Sequence, residues 1–291
     1  MLPRSRLIAN AADLAPMGRQ ALWDELKGFE REGASGGEDG SSATEVVEIV
    51  MATGSYNVRG WTYALGAFVH KDNPLNRLSI EQLDGIFGAQ RDGGWDGLTW
   101  RTDWARGPEK NIRTWGQLGL KGEWADKPIT VYGYNMKYHF NDEIDKKVLK
   151  GSSKWNEAMR AFSNVAGLKA DGSLTAGGEL ITNALAEDKY GIAYTGMPFA
   201  NDRVKMVALS QNGGVAVPMT LQTVQDRSYP LIRDVYYYLK KDKGKPVDPL
   251  KREFLRYILS REGQEAVQQD GKYLPLTAAA AREQLAKLNA R

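Results

Sequence analysis

No cysteine occurs among the 291 residues of this chain. That excludes disulfides, zinc thiolate sites, iron–sulfur clusters and cysteine nucleophiles, and it fits a reducing or an oxidising compartment equally well. Imidazole is almost as scarce. Only His70 and His139 carry it, and no spacing joins either to carboxylates in the manner of a metal site, so no metal or other cofactor is expected. No long apolar run is present, and no segment is expected to span a membrane. An excess of one charge is missing too: 39 basic against 36 acidic side chains leave a net charge of +3. This balance gives no footing for nucleic acid, although the slight positive bias suits an anionic ligand. No internal repeat is visible. The opening stretch MLPRSRLIANAADLAP has basic residues but lacks the apolar segment of a secretory signal. A convincing nucleophile, base or metal cluster is also lacking, and no enzymatic activity is expected. The string Gly33-Ala34-Ser35-Gly36-Gly37 matches a nucleophile elbow by letters only. That mechanism needs a buried strand before the serine and a helix after it, and here the string sits in a polar Gly/Ser stretch.

What is present reads as a soluble globular protein, 42% hydrophobic and 26% charged, long enough for one large domain or two ordinary ones. Trp23, Leu26 and Phe29 are spaced as one helical face. REGASGGEDGSS follows as a polar surface loop, and Val46 to Met51 as a buried strand. Ala64 to His70 is a second strand, stopped by Asp72-Asn73-Pro74. Ser79 and Gln82 have capping-box spacing at the head of a helix over 78–87. Next comes a Trp- and Gly-rich stretch with little periodicity, residues 93–124, read as a functional loop or an insertion. Further on, the pattern predicts a strand over 129–132, helices over 138–150 and 155–162, a helix over 179–186, and strands over 191–194 and 204–209. Alternating strands and helices argue for an α/β fold with parallel or mixed sheets covered by helices.

Several segments resemble, in order, those of the phosphate-binding, PstS-like solute-binding proteins of ABC transporters. Ser228, Tyr229, Pro230 and Leu231 resemble an extended segment that in the family leads back into a helix. Gly263 and Gln264 match a Ser-x-x-Gly-Gln turn, and Gly271, Tyr273, Pro275 and Leu276 match a Gly-Tyr-x-Pro-Leu tail. Asn73, Pro74, Leu75, Leu78, Gln82, Leu83, Ile86, Phe87 and Gly88 are similar to the family's crossover strand and following helix. NALAEDKYGIAYTG resembles a helix dropping into a buried strand, and ADLAPMGRQALWDE the closing edge of the first lobe.

The resemblance implies a type 2 periplasmic-binding-protein fold of two lobes, each a mixed sheet covered by helices. Residues 1–72 with 215–291 would form the first lobe and 73–214 the second. It implies a non-catalytic solute-binding component of an ABC-type uptake system, holding a small oxyanion, foremost phosphate, in an inter-lobe cleft. The implied partners are phosphate or a similar oxyanion and the membrane permease, with no nucleic acid. The protein would be a monomer in the periplasm or otherwise outside the cytoplasm.

There are departures from the family. The part that supplies its first strand, a helix and a Gly-Ser loop precedes the point matching the start of this chain, and the missing signal raises the question of a truncated start. Ser-Gly-Thr at the second lobe's helix is replaced within VYGYNMKYHF, where Tyr134, Asn135 and Lys137 stand, and the serine before Arg19 is replaced by Gly18. A truncated or divergent module acting in partner binding through the Trp-rich stretch is the alternative.

A helix N-terminus binds an oxyanion through its N–H groups and dipole. The loop Gly133 to Lys137, between a strand and a helix, is the candidate place. Asn135 either donates its amide to the ligand or caps the helix. Lys137 either supplies a cation or is solvated, and Arg19 either closes on the anion or forms a surface ion pair. Thr175 lies before a helix that offers N–H donors or is an ordinary loop residue. Tyr194 lines the site or packs in the core, and Ser55 is placed to line the cleft.

Overall fold

The computed structural model describes residues 6, 7, 9, 11–33, 43–163, 165–168 and 174–289. The polar loop expected over 31–42 and the elbow-like string therefore fall largely outside the described residues. In chain order the strands of the two larger sheets are β1 (Ala15–Met17), β2 (Thr44–Thr53), β3 (Leu65–His70), β4 (Thr130–Tyr134), β5 (Arg160–Phe162), β6 (Gly191–Gly196), β7 (Val204–Met206) and β8 (Asp234–Asp242). The described α-helices are α1 (Trp23–Gly33), α2 (Ile80–Phe87), α3 (Phe140–Lys147), α4 (Gly177–Ala186), α5 (Leu221–Gln225), α6 (Pro249–Leu259), α7 (Arg261–Asp270) and α8 (Ala278–Asn289). None of them is long and apolar enough to cross a membrane. The chain forms two compact units: Met1–Tyr63 with Gln225–Arg227 and Ile232–Arg291, and Ala64–Val224 with Ser228–Leu231.

The first unit is built on an antiparallel sheet in the order β1–β8–β2. The expected mixed sheet is found in the second unit; in the first, the described strands pair antiparallel only. After Ser228–Leu231 the chain runs into strand β8 rather than into a helix. The reason lies in the residues: Val235 to Leu239 is a β-branched and aromatic run, and the period of two puts Tyr236 and Tyr238 on one face. Both tyrosines are buried in a core with Phe29, Ile49, Leu255, Leu259 and Leu288. The Tyr238 hydroxyl accepts the Ala21 N–H at 2.8 Å and donates to Glu48.

The carboxyl-terminal motif closes this unit. Ser260 caps α7 through the Gly263 N–H, and Gly271 ends the helix in the left-handed region at φ 68°. Gln264 then clips the tail. Its amide donates to the Met51 carbonyl at 3.0 Å, and its oxygen accepts the Leu276 N–H at 2.6 Å.

The second unit carries a mixed sheet in the order β7–β3–β6–β4–β5, in which β6, β4 and β5 pair parallel and β3 runs antiparallel to both its neighbours, β6 and β7. The capping box at α2 is formed as its spacing predicts: the Ser79 hydroxyl accepts the Gln82 N–H at 3.1 Å, and the Gln82 side chain accepts the Ser79 N–H at 2.9 Å.

The helix expected over 155–162 is absent. Trp155 bridges to Gly88, and Arg160–Phe162 is the edge strand β5. Asn156 explains the switch. Its oxygen accepts the Ala158 N–H at 3.0 Å and its amide donates to the Ile86 carbonyl at 2.8 Å. Such local side-chain bonds offer the backbone an alternative to helix.

The Trp-rich stretch folds into a short hairpin, Gly94–Asp96 with Thr99–Arg101, and into 3-10 turns. Trp115 and Trp124 are buried beneath it, while Trp100 is exposed.

Candidate functional site

In the second unit the parallel strands β4 and β5 end side by side, with Gly133 opposite Ala161 and Tyr134 opposite Phe162. Carboxyl ends of parallel strands are where α/β folds place ligands. The loop Asn135–His139 leaves β4 there and enters α3. The Asn135 N–H donates to the Phe162 carbonyl at 2.8 Å, and the Asn135 carbonyl accepts the Tyr138 N–H at 2.9 Å. The expectation that Asn135 caps the helix is corrected. Its oxygen accepts the Lys137 N–H at 3.1 Å in a tight local turn, and the capping position is His139, which makes no side-chain cap bond. A residue five positions before the first helical one is too distant to cap it. Lys137 is exposed.

Asn141, which sequence reasoning did not single out, braces this loop. Its amide donates to the carbonyls of Tyr134 at 3.1 Å and Asn135 at 2.9 Å. The Tyr194 hydroxyl donates to the Asn141 oxygen and accepts the Tyr134 N–H at 3.3 Å. Tyr194 is buried, and that burial pushes its hydroxyl pKa up, so it remains a neutral donor. Tyr134 is buried as well, its hydroxyl 2.7 Å from Thr195 Oγ1 and its ring stacked on Phe140 at 4.5 Å. The only signal for Asn141 was a polar residue in the first turn of a helix, which is common.

Thr175 is half-buried and pairs with Val165 just before α4. Gly178 in the first turn of α4 has no room for a side chain: a Cβ there would lie 2.3 Å from Phe199 and 2.6 Å from the Tyr134 hydroxyl. The end of α4 thus packs against the tyrosine that begins the loop.

In the first unit, Gly18, Arg19 and Ser55 gather around Thr62 and Glu25. The Gly18 carbonyl accepts from the Thr62 hydroxyl at 3.3 Å and from Arg233 at 3.2 Å. A Cβ at Gly18 would lie 2.4 Å from Thr62 Oγ1. The hydroxyl of Thr62 thus occupies the space that a serine at position 18 would need. The Ser55 N–H donates to the Thr62 carbonyl at 2.6 Å, and its side chain is 1% exposed with the residue. Arg19 is buried and forks onto Glu25 at 2.7 and 2.9 Å. Glu25 also accepts the Leu22 N–H at 2.8 Å. Of the two readings open for Arg19, ion pairing is realised, but in a buried place rather than on the surface.

An open cavity of about 640 Å³ adjoins the loop in the second unit. Met136 of the loop lines it together with residues 89–92, 153–157, 159 and 161. One wall is held by Asp145 in α3, which accepts the Ser153 N–H at 2.8 Å. Burial pushes the Asp145 carboxyl up to about 6; the Ser153 bonds and Arg91 oppose this, and Asp142 adds to it.

A folded-state pKa above the unfolded value of 3.8 means that the native state binds this proton more tightly. Its stabilisation is complete below about pH 4 and is lost as pH climbs through about 6. Asp145→Asn keeps an acceptor for Ser153 without the buried charge. Chemical denaturation should find the variant level with the parent near pH 4 and of order 2 kcal/mol more stable above pH 6. A parent that gains stability relative to the variant across that window would contradict the assignment.

Residues 35–262 match the model of the PBP superfamily domain. The chain is 31% identical over 287 residues to the phosphate-binding protein PstS of Pseudomonas aeruginosa, covering 97% of this chain and 73% of that one. It belongs to the PBP superfamily and, within it, to the family of PstS. Solved structures agree on the fold. A possible phosphate-binding protein from Planctomyces limnophilus superposes with a TM-score of 0.54 at 20% identity, over 98% of this chain and 83% of that one. An ABC-type phosphate transport receptor from Vibrio cholerae gives 0.53 at 14%, over 93% and 83%. A putative phosphate ABC transporter substrate-binding protein from Clostridium perfringens, solved with bound phosphate, gives 0.51 at 16%, over 94% and 84%. PstS membership thus accounts for the order of segments read from the sequence, from the Asn-Pro-Leu turn at residue 73 to the Pro-Leu tail at 276.

Proposed function

We propose that this chain is the solute-binding component of an ABC-type uptake system and that it captures phosphate without transforming it. The observation that carries this reading is the 31% identity to a phosphate-binding protein over nearly the whole chain, joined to a strand-to-helix loop at the carboxyl ends of parallel strands. The protein acts outside the cytoplasmic membrane as a monomer and hands the anion to a membrane permease. Binding rests on electrostatics and hydrogen bonds: the helix dipole favours an anion at the start of α3 and exposed Lys137 adds a cation, working against the carboxylates of Asp142 and Glu143 in the first turn.

Asn135, held by Phe162 and by its own turn, presents the loop, and Tyr134, Asn141 and Tyr194 keep it in shape. Thr175 stands at the start of α4.

Calorimetric titration with phosphate, sulfate and molybdate tests this. Phosphate should release or absorb heat and raise the unfolding temperature, and Lys137→Glu should weaken its binding about tenfold or more, since a like charge near a bound anion costs on the order of 1–2 kcal/mol. Absence of both heat and thermal shift with millimolar phosphate would defeat the reading.

A further inference from the structure

We infer that the second unit takes the organic part of a phosphate monoester, a small sugar or polyol phosphate, in the cavity beside the loop. This rests on the phosphate reading above and deepens it. Three observations carry it. The first is continuity. Met136, which stands in the loop where the family's Ser-Gly-Thr would be, forms part of the cavity wall, and its sulfur is fixed by the Asn141 amide at 3.4 Å. A ligand whose phosphoryl group meets this loop has the cavity next to it.

The second is size. A volume of about 640 Å³ lies in the range of small-molecule pockets, and a bare tetrahedral oxyanion fills only a small fraction of it. The third is chemistry. Half-buried Trp155, its ring 6.1 Å from that of Tyr194, is an aromatic part of the lining, and Met136 and Met159 line the same cavity. An aromatic face packs against the C–H side of a sugar ring.

The rim is polar and mixed in charge: Gln90, Asp92, Lys154 and Glu157 are exposed on it. Ionised carboxylates are acceptors only, so they suit hydroxyl donors and repel a second phosphoryl group. Arg91 and Asn156 also line the wall, but their polar groups are committed within the fold: Arg91 to Asp84 and the Trp104 carbonyl, Asn156 to the Ile86 carbonyl and the Ala158 N–H. The free hydrogen-bonding capacity therefore lies at the rim, where ring hydroxyls would emerge.

The test compares inorganic phosphate, glucose 6-phosphate, glucose and adenosine monophosphate by calorimetry on the full chain. Glucose 6-phosphate should bind at least tenfold tighter than inorganic phosphate, and glucose alone more weakly than either. Gln90→Trp, a bulky side chain at an exposed rim position, should lower the ratio of the two phosphate affinities tenfold or more. Trp155→Ala should do the same if it folds. Inorganic phosphate binding as tightly as the ester would overturn the inference and leave the phosphate reading standing. Tighter binding of the nucleotide than of the sugar ester would overturn the assigned class. An affinity ratio indifferent to Gln90→Trp would place the preference elsewhere and overturn the site. Failure of every anion to bind would remove the phosphate reading, and this inference with it.

Discussion

Replacing Asp84 with asparagine should destabilise the second unit by about 3–5 kcal/mol, the usual cost of removing one partner from a buried ion pair. Asp84 sits near the end of α2, and its side chain is 8% exposed. Arg91 forks onto both of its oxygens at 2.6 and 2.7 Å, and the Arg106 guanidinium lies 3.4 Å from the same carboxylate. Burial lowers the Arg106 pKa against the pull of Asp84, which is the signature of a cation taken out of water. Asparagine preserves the shape but leaves two buried guanidiniums facing a neutral amide.

The rest of the cluster cannot compensate. Arg113 donates to the carbonyls of Gly85 and Gly88, satisfying the end of α2 with a third cation rather than an anion. Urea denaturation followed by circular dichroism would read the loss. A double replacement, Asp84→Leu with Arg91→Met, should cost less than Asp84→Asn alone, because it leaves one uncompensated guanidinium, that of Arg106, where Asp84→Asn leaves two. Equal costs for the two would show that shape, not charge, dominates at this place.

This cluster illustrates where the sequence stops being readable. The capping box of Ser79 and Gln82 was visible because both partners lie within one helical turn and obey a fixed spacing. Asp84, Arg91 and Arg106 meet only after a hairpin and a 3-10 turn bring the last of them back, and no periodicity marks that. The same holds for Arg19. It looked like an anion ligand because it follows a strand, yet its neighbour Glu25, six residues on, takes its fork in a turn that no regular spacing describes.

Errors of element type have local causes. Trp155 to Phe162 has helical spacing of its apolar residues, but Asn156 binds its own backbone and β4 offers an edge for pairing. Tertiary pairing then outweighs a weak propensity. The loop after β4 was placed correctly because a strand signal ending in Gly133 and a later amphipathic stretch bracket it. Its internal geometry was not legible, since it depends on Asn141 and Tyr194 meeting across the unit.

Truncating Trp115 to alanine should cost the second unit about 3–5 kcal/mol, the range for a large aromatic removed from a packed core. The residue is fully buried. Its indole N–H donates to the Tyr190 carbonyl at 3.0 Å, and its ring meets Trp124 edge-on at 5.8 Å, which in turn meets Tyr190 at 5.1 Å. Little around it can collapse into the vacated space, because Gly116 lies so close to the Ala125 carbonyl that even a Cβ would approach it to 2.2 Å.

The packing has a functional consequence. The Trp115 N–H donates to the Lys127 carbonyl at 3.0 Å, the Thr130 N–H donates to Tyr190 at 3.2 Å, and Gly191 pairs with Thr130. The buried tryptophans therefore fix the starts of β4 and β6, and β4 carries the loop Asn135–His139 at its other end. Trp115→Phe should cost only about 1–2 kcal/mol, since most of the ring volume remains and one hydrogen bond is lost. Trp100→Ala, on the exposed hairpin, should stay within about 1 kcal/mol of the parent. If Trp115→Ala proves as mild as Trp100→Ala, the stretch is a surface appendage rather than a satellite core. If it is costly and phosphate affinity falls with it at temperatures where the variant is still folded, the stretch holds the loop's strand in place.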